Sequence, residues 1–286
     1  MVERPAANDE QARFWEDRAE SWIDSSDWWL ANVAGPFGAA VLDRLGPTPG
    51  GRYLDVGCGT GPTTIELARR IQPGGVVLGI DIAPSMIDAA RTLVDRAGVD
   101  GVELAVADAQ VDDLGPAQMD GVLSQFGVMF FSEPEAAFVN VRSAMKPGAV
   151  LSFCCWQDLQ LNEWMTVPAL AAIGRTGWVP DFGDPSSPGP FAFAEEDRVV
   201  GILEAAGFGG VDLIDVRAEV VVPQDRIDDM VRGVSAMGAV RVQLEHFTDP
   251  EVQRGIVAAV DEELRSRVVD GAVRLASAAW AVRATA

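Results

Sequence analysis

From residue 52 onward the chain alternates short apolar runs with amphipathic stretches. The runs are Tyr53 to Val56, Val76 to Ile80, Val102 to Ala107, Gly121 to Phe126 and Val150 to Trp156, each followed by turn residues or a helix start. Continuous apolar runs of this length suit strands buried on both faces, and their alternation with helices predicts βαβ units around a parallel sheet of five strands. The intervening helices are predicted around Thr63 to Ile71, Pro84 to Ala97 and Pro134 to Met145. In the second of these, Met86, Ala90, Leu93 and Ala97 recur at helical spacing, and Pro84 takes a first-turn position where its missing N–H costs nothing. The crossovers are expected to be right-handed.

On the N-terminal side, residues 9 to 31 read as one or two helices carrying Phe14, Trp15, Trp22, Trp28 and Trp29, ending near Gly35-Pro36 and followed by a helical stretch through Leu45. Beyond Trp156 the pattern loosens. A helix is predicted over Asn162 to Ile173, then a Pro-, Gly- and Ser-rich loop, TGWVPDFGDPSSPGPF. A helix over Glu195 to Ala206 follows, stopped by Gly207. Val211 to Val222 reads as a long strand, residues 224 to 268 as mostly helix, and Ala272 to Arg283 as a closing strand, antiparallel to its neighbour. The expected organisation is a single domain over residues 1–286, with a helical cap (1–50), a ligand-binding core (51–156) and a substrate-side portion (157–286). The segments 157–194 and 224–268 are candidate lids.

Composition narrows the possibilities. Hydrophobic residues make up 48% of the chain and the formal net charge is −21, so a globular protein with a large core is expected and a nucleic-acid partner is not, because such a surface repels phosphate backbones. No apolar stretch reaches the roughly 18 residues needed to span a bilayer, and the polar, acidic N-terminus has no signal-like apolar region, so a cytoplasmic protein without a membrane span is expected. Of the three cysteines, Cys154 and Cys155 are adjacent, which leaves neither a disulfide framework nor a metal motif, and no metal is expected.

The first strand runs into Asp55-Val56-Gly57-Cys58-Gly59-Thr60-Gly61, a glycine loop that opens a helix and lets backbone N–H groups approach a ligand. Its spacing is GxGxG, with Pro62 where a dinucleotide fold wants a third glycine, which argues against NAD and an NAD-linked oxidoreductase. A carboxylate at Asp55 would repel a pyrophosphate and welcome an ammonium or a sulfonium. Asp81 ends the second strand, where an acid can accept both ribose hydroxyls, and Asp108 ends the third, where it can accept from an adenine amino group. Three carboxylates at the carboxyl ends of adjacent strands line the crevice where open α/β sheets take ligands.

Taken in order, DVGCGTG, GIDIAPSMIDAAR, VADAQ and SQFGVMFF resemble the motifs of class I S-adenosylmethionine-dependent methyltransferases, more narrowly the quinone-biosynthesis-like small-molecule branch. The resemblance covers about residues 10 to 156. It implies a doubly wound α/β fold whose seven-stranded, mostly parallel sheet has the order 3-2-1-4-5-7-6 with the last strand antiparallel, a helical cap before it and a helical insertion before the last strand. It implies S-adenosyl-L-methionine as cofactor. Gly57, Gly59 and Gly61 would pass under it, and Asp55 would hold the methionine ammonium directly or through water. Asp81 would bind the ribose, Ile82 and Met86 flank the adenine, and Asp108 and Ala109 meet its polar edge. Ser124 and Gln125 would face the sulfonium, where methyl transfer to a small-molecule acceptor takes place.

A sulfonium is already a strong electrophile, so in-line orientation and exclusion of water suffice, and a general base is needed only if the acceptor must lose a proton. His246, the only histidine, is one candidate base; Glu163, Asp181 and Asp184 are others, with an exposed helix-end or loop position as the competing reading of each. Strand four ends in SQF rather than the tetrapeptide by which many enzymes hold a planar amide or nucleobase nitrogen, which turns attention to other acceptors. Trp156, Trp164, Trp178, Phe182 and the N-terminal tryptophans are candidates for an apolar acceptor wall. An S-adenosylmethionine binder with a repurposed, non-methylating function shares every one of these features.

Overall fold

The computed structural model describes residues 6–181, 184 and 187–286. The strands β1 (Arg52–Val56), β2 (Val76–Asp81), β3 (Val102–Val106), β4 (Met119–Gln125), β5 (Met145–Trp156), β6 (Gly209–Pro223) and β7 (Ala272–Thr285) form one sheet of order β3-β2-β1-β4-β5-β7-β6. The first five are mutually parallel, whereas β7 runs antiparallel to both β5 and β6. This is the doubly wound sheet the motif order implies.

The central strands are apolar because both of their faces are covered. Leu54, Val122 and Leu123 are fully buried, as are Phe37 and Val41 of α3 (Gly35–Leu45), which packs across β4 and β5 and accepts the Ser152 hydroxyl on the Val41 carbonyl at 2.9 Å. Between the strands run α4 (Pro62–Arg70), α5 (Pro84–Ala97) and α6 (Pro134–Ser143), each with a proline in its first turn. Several boundaries differ from the sequence reading, and two of them bear on the packing. The helix of α6 stops at Ser143, because Met145 pairs with Met119 and starts β5 early. At the N-terminus, α1 (Ala6–Glu16) and α2 (Ala19–Trp29) are followed by no break at Gly35-Pro36: a π turn over Leu30–Ala34 carries the chain directly into α3, with Pro36 in its first turn.

The remaining elements hang over one end of the sheet. β6 and β7 pair from Gly209↔Thr285 to Pro223↔Ala272, while β5 pairs with β7 only as far as Trp156↔Ala279. Residues 272–278 of the hairpin therefore project past the carboxyl end of β5 by about 20 Å at the usual rise per strand residue. At the tip of this projection the chain leaves as α9 (Ile227–Ser235), α10 (Gly238–His246) and α11 (Pro250–Ser266). With α7 (Glu163–Thr176) and α2 they roof the carboxyl ends of the parallel strands, and α8 (Glu196–Ala205) packs outside. One core of buried side chains runs from Trp29 and Phe37 through the sheet to Ile256, Val260 and Leu264 of α11. None of the described helices is long and apolar enough to cross a membrane.

Close packing between α4 and α5 depends on Gly61. It caps α4 at φ +90°, and a Cβ there would stand 3.2 Å from the Ala90 Cβ of α5. Gly61→Ala is expected to lower stability by about 1–3 kcal/mol, read as a lower Tm by calorimetry, with Ala90→Gly in the same chain recovering the part due to crowding but not the part due to φ.

Candidate functional site

The loop between β1 and α4 is shaped by three positive-φ glycines with different tasks. Gly57 (φ +67°) lies against Gly127, whose Cα would be 3.0 Å from an added Cβ. Gly59 (φ +55°) has nothing within 4 Å on its Cβ side. Gly61 serves the helix packing just described and is not among the residues that line the cavity. The loop is tied to β2: Cys58 N–H donates to the Ile80 carbonyl at 2.9 Å and Gly59 N–H to Asp81 Oδ2 at 2.9 Å, while Ala83 N–H donates to Asp81 Oδ1 at 3.0 Å. Burial raises the Asp81 carboxyl above its ordinary range, against the lowering effect of these backbone donors.

Asp55 sits at the end of β1, 1% exposed. Its Oδ2 accepts the Thr64 hydroxyl at 2.7 Å, and Oδ1 is buried with no hydrogen-bond partner. Burial pushes this carboxyl up to about 7, with the Thr64 bond opposing and the nearby Asp81 charge adding to the rise. An orphaned carboxylate oxygen beside a bare glycine turn fits a ligand that brings a cation or donors of its own. The Cys58 thiol is buried and pushed far up by that burial and by Asp55 and Asp81, so it stays protonated and fills the loop.

These groups open on a cavity of about 500 Å³ at the carboxyl ends of the strands, within the range of small-molecule sites. Asp55, Gly57, Gly59, Asp81, Ile82, Met86, Asp108 and Ala109 line one end. Asp108 reaches it in an unforeseen way. Its Oδ1 accepts from Gln110 N–H at 2.9 Å and its Oδ2 from the Asn8 amide of α1 at 2.5 Å, so the cap helix already touches the acid expected to meet an adenine. The same helix is held at its other end by Glu16, which accepts from the Ser85 hydroxyl at 2.6 Å.

The other end is aromatic. Phe126 stacks on Trp156 with centroids 4.0 Å apart and planes 15° off parallel, and Trp29 meets the edges of Phe126, Trp156 and Trp164 at 5.2–6.1 Å. Phe126 has φ +62°, a strained conformation for a bulky side chain, held at the end of β4 by this packing. Its position after Ser124-Gln125 carried no sequence signal, since nothing local favours a left-handed phenylalanine.

The other candidate residues are placed as follows. Ser124 is fully buried, donates to the Val56 carbonyl at 2.7 Å and does not line the cavity; it ties β4 to β1. Gln125 does line it, but its amide is spent on bracing: Nε2 donates to the Ala34 carbonyl at 2.7 Å and Oε1 accepts the Thr63 hydroxyl at 2.6 Å. His246 ends α10 and stacks flat on Trp178, 3.9 Å between centroids, and neither residue lines the cavity. Glu163 accepts from Ala276 N–H at 2.9 Å and is structural. Asp181 and Asp184 do lie on the cavity wall, while Phe182 falls outside the described residues. Among the described residues no group of three or more His, Cys, Asp or Glu side chains is placed to hold a metal ion.

Comparison with known proteins bears on the same residues. Residues 54–148 match the family model described as a methyltransferase domain. The aklanonic acid methyltransferase DauC of Streptomyces sp. (strain C5) is 31% identical over 118 residues, 41% of this chain and 54% of that one, so the chain spans about half the length of this curated relative. The nocamycin O-methyltransferase of Saccharothrix syringae is 24% identical over 245 residues, 83% of this chain and 86% of its own. In fold, the phosphoethanolamine N-methyltransferase 2 of Haemonchus contortus, solved with S-adenosyl-L-methionine, superposes over 96% of this chain and 59% of its own with a TM-score of 0.58 at 17% identity. The strand order, the GxGxG turn with its acids at Asp55 and Asp81, and the matched family model agree: residues 54–148 match a methyltransferase domain, and the sheet around them has the fold of a solved methyltransferase.

Proposed function

We propose that the protein binds S-adenosyl-L-methionine at the glycine-loop end of the cavity and transfers its methyl group to a small, largely apolar acceptor held at the aromatic end. The observation that carries this reading is the Asp55 carboxylate, buried with one oxygen unpartnered, beside the open Gly59 turn and in one cavity with the Phe126–Trp156 wall. In the bound state the cofactor supplies an activated methyl group, and this chain's residues do the rest. Asp55 takes the methionine ammonium. Asp81, fixed by Gly59 and Ala83 N–H, keeps lone pairs for ribose hydroxyls. Ile82 and Met86 flank the adenine, with Asp108 and Ala109 at its polar edge.

Catalysis on this reading is orientation. Holding the acceptor in line is worth up to about 7–11 kcal/mol, and the walls of Trp29, Phe126, Trp156 and Trp164 set its plane and exclude water. Of the candidate bases, His246 lies away from the cavity, whereas Asp181 and Asp184 are on its wall and would serve an acceptor that must lose a proton.

Isothermal titration with S-adenosylmethionine, S-adenosylhomocysteine and NAD in parallel tests the cofactor: micromolar binding of the first two and none of NAD is expected, and binding of NAD alone overturns the reading. Release of S-adenosylhomocysteine on addition of acceptors separates methyl transfer from a non-methylating role. Gly59→Val is expected to abolish cofactor binding by filling the open turn while the circular dichroism spectrum keeps its folded form. Asp81→Ala is expected to weaken binding roughly 10- to 150-fold, on the order of 1.5–3 kcal/mol, and a loss under twofold would sink the ribose assignment.

The sign of the pH dependence follows from Asp55, whose carboxyl is raised from 3.8 to about 7 in the fold. Across that interval the folded protein keeps a proton that the unfolded chain has lost, so this group lowers ligand-free stability as pH rises from about 4 to about 7. A cationic ligand needs the ionised form, so cofactor affinity is expected to rise up to about tenfold between pH 5.5 and 6.5 with release of a proton. Asp55→Asn should flatten that profile; an unchanged slope would remove Asp55 from the ammonium contact.

A further inference from the structure

The cavity wall carries five acids and, among the described residues, two cations. Asp55, Asp81 and Asp108 belong to the glycine-loop end, and Asp181 and Asp184 to the loop after α7, where each has an interaction of its own. The cations are Arg18, next to the start of α2, and Arg241 of α10, one from the cap and one from the insertion. Along α1 and α2 the lining positions Asn8, Gln11, Trp15, Arg18, Trp22 and Trp29 follow at helical spacing, so Arg18 stands between the Asp108 contact of Asn8 and the aromatic wall at Trp29.

Both guanidiniums converge on one carboxylate that does not itself line the cavity. Glu245 Oε1 accepts Arg241 Nε at 2.7 Å and Oε2 accepts Arg18 Nη2 at 3.5 Å. Arg18 is further set by the Phe14 ring, 4.0 Å below its guanidinium carbon, and by the Phe14 carbonyl, and Arg241 by the Ala236 carbonyl. Two positive charges thus share one negative one, and most of their N–H donors have no partner among the described residues. The side chains are 27% and 20% exposed, sheltered enough for a charged hydrogen bond to count.

We propose that Arg18 and Arg241, oriented from behind by Glu245, form an anion subsite that takes a carboxylate on an otherwise flat, apolar acceptor. The proposal rests on the methyl-transfer reading, because it assigns the cap side of the same cavity to the acceptor. A strap joining cap to insertion would need only the Arg18–Glu245 pair; the placement of both arginines on the cavity wall, in a chain of net charge −21, is what a carboxylate-bearing ligand uses.

The test compares 2-naphthoate with 2-naphthamide, which share ring and shape and differ in charge, by titration into protein saturated with S-adenosylhomocysteine. The naphthoate is expected to bind at least about tenfold tighter, the preference shrinking as KCl rises from 50 to 500 mM. In the R18Q/R241Q variant the ratio should fall to near one while S-adenosylhomocysteine affinity stays within about twofold, a control that the variant is folded. Equal binding of the two probes to wild type, no naphthoate binding, or a preference that survives in the double variant overturns the subsite. Failure of wild type to bind S-adenosylhomocysteine would instead overturn the methyl-transfer reading itself.

Discussion

At the carboxyl ends of β1 and β2, the backbone N–H of Gly59 reaches the Asp81 carboxylate while Cys58 N–H reaches the Ile80 carbonyl. These two bonds fold the glycine turn back over the sheet edge and fix one wall of the cavity. They need glycine at 59, where φ is +55° and the Cβ direction points into open space, and they need an acid at 81 that is half-buried and supplied with backbone donors. The turn, the orphaned Asp55 oxygen and the start of α4 all follow from that geometry. A parallel sheet produces the setting because every strand delivers its loop to the same end.

The roof over that end is built from segments far apart in sequence. The cap reaches the site through Asn8 and Glu16, α3 presses on β4 and β5, and the β6–β7 hairpin overshoots β5 to carry α9, α10 and α11 above it. Their common currency is aromatic surface. Trp15, Trp22 and Trp29 form a chain of edge and tilted contacts leading to the Phe126–Trp156 stack, and that packing holds Phe126 in a conformation its own backbone disfavours. The strain and the wall are one feature: a relaxed Phe126 would not present its face to Trp156.

Charge is distributed along the cavity in the same divided way. Acids crowd the sheet end, where burial raises Asp55 and Asp81 and leaves them ready to meet positive or donor groups. The guanidiniums of Arg18 and Arg241 belong to the roof, braced by Glu245. A molecule lying along the cavity therefore meets carboxylates at one end, guanidiniums on the roof and an aromatic surface at the other end.

The sequence by itself determined the local elements and the loop chemistry. Strand runs, helix periods, the GxGxG spacing and the acids at 55, 81 and 108 are short-range features, since each strand is apolar over its own few residues and each acid stands a fixed distance after one; the order of the motifs carried the sheet topology. What only the tertiary structure decided are contacts between distant segments. Ser124 and Gln125 lie where the strand reading put them, yet the carbonyls of Val56 and Ala34 claim their polar atoms. Gly61 was spent on Ala90 of a neighbouring helix, and His246 on a stack with Trp178. The positive φ of Phe126 and the convergence of Arg18 with Arg241 left no trace in the pattern. Periodicity reports which face of an element is apolar, whereas the partner a side chain meets depends on how the cap and the insertion close over the sheet, a many-body packing outcome with no local sequence signature.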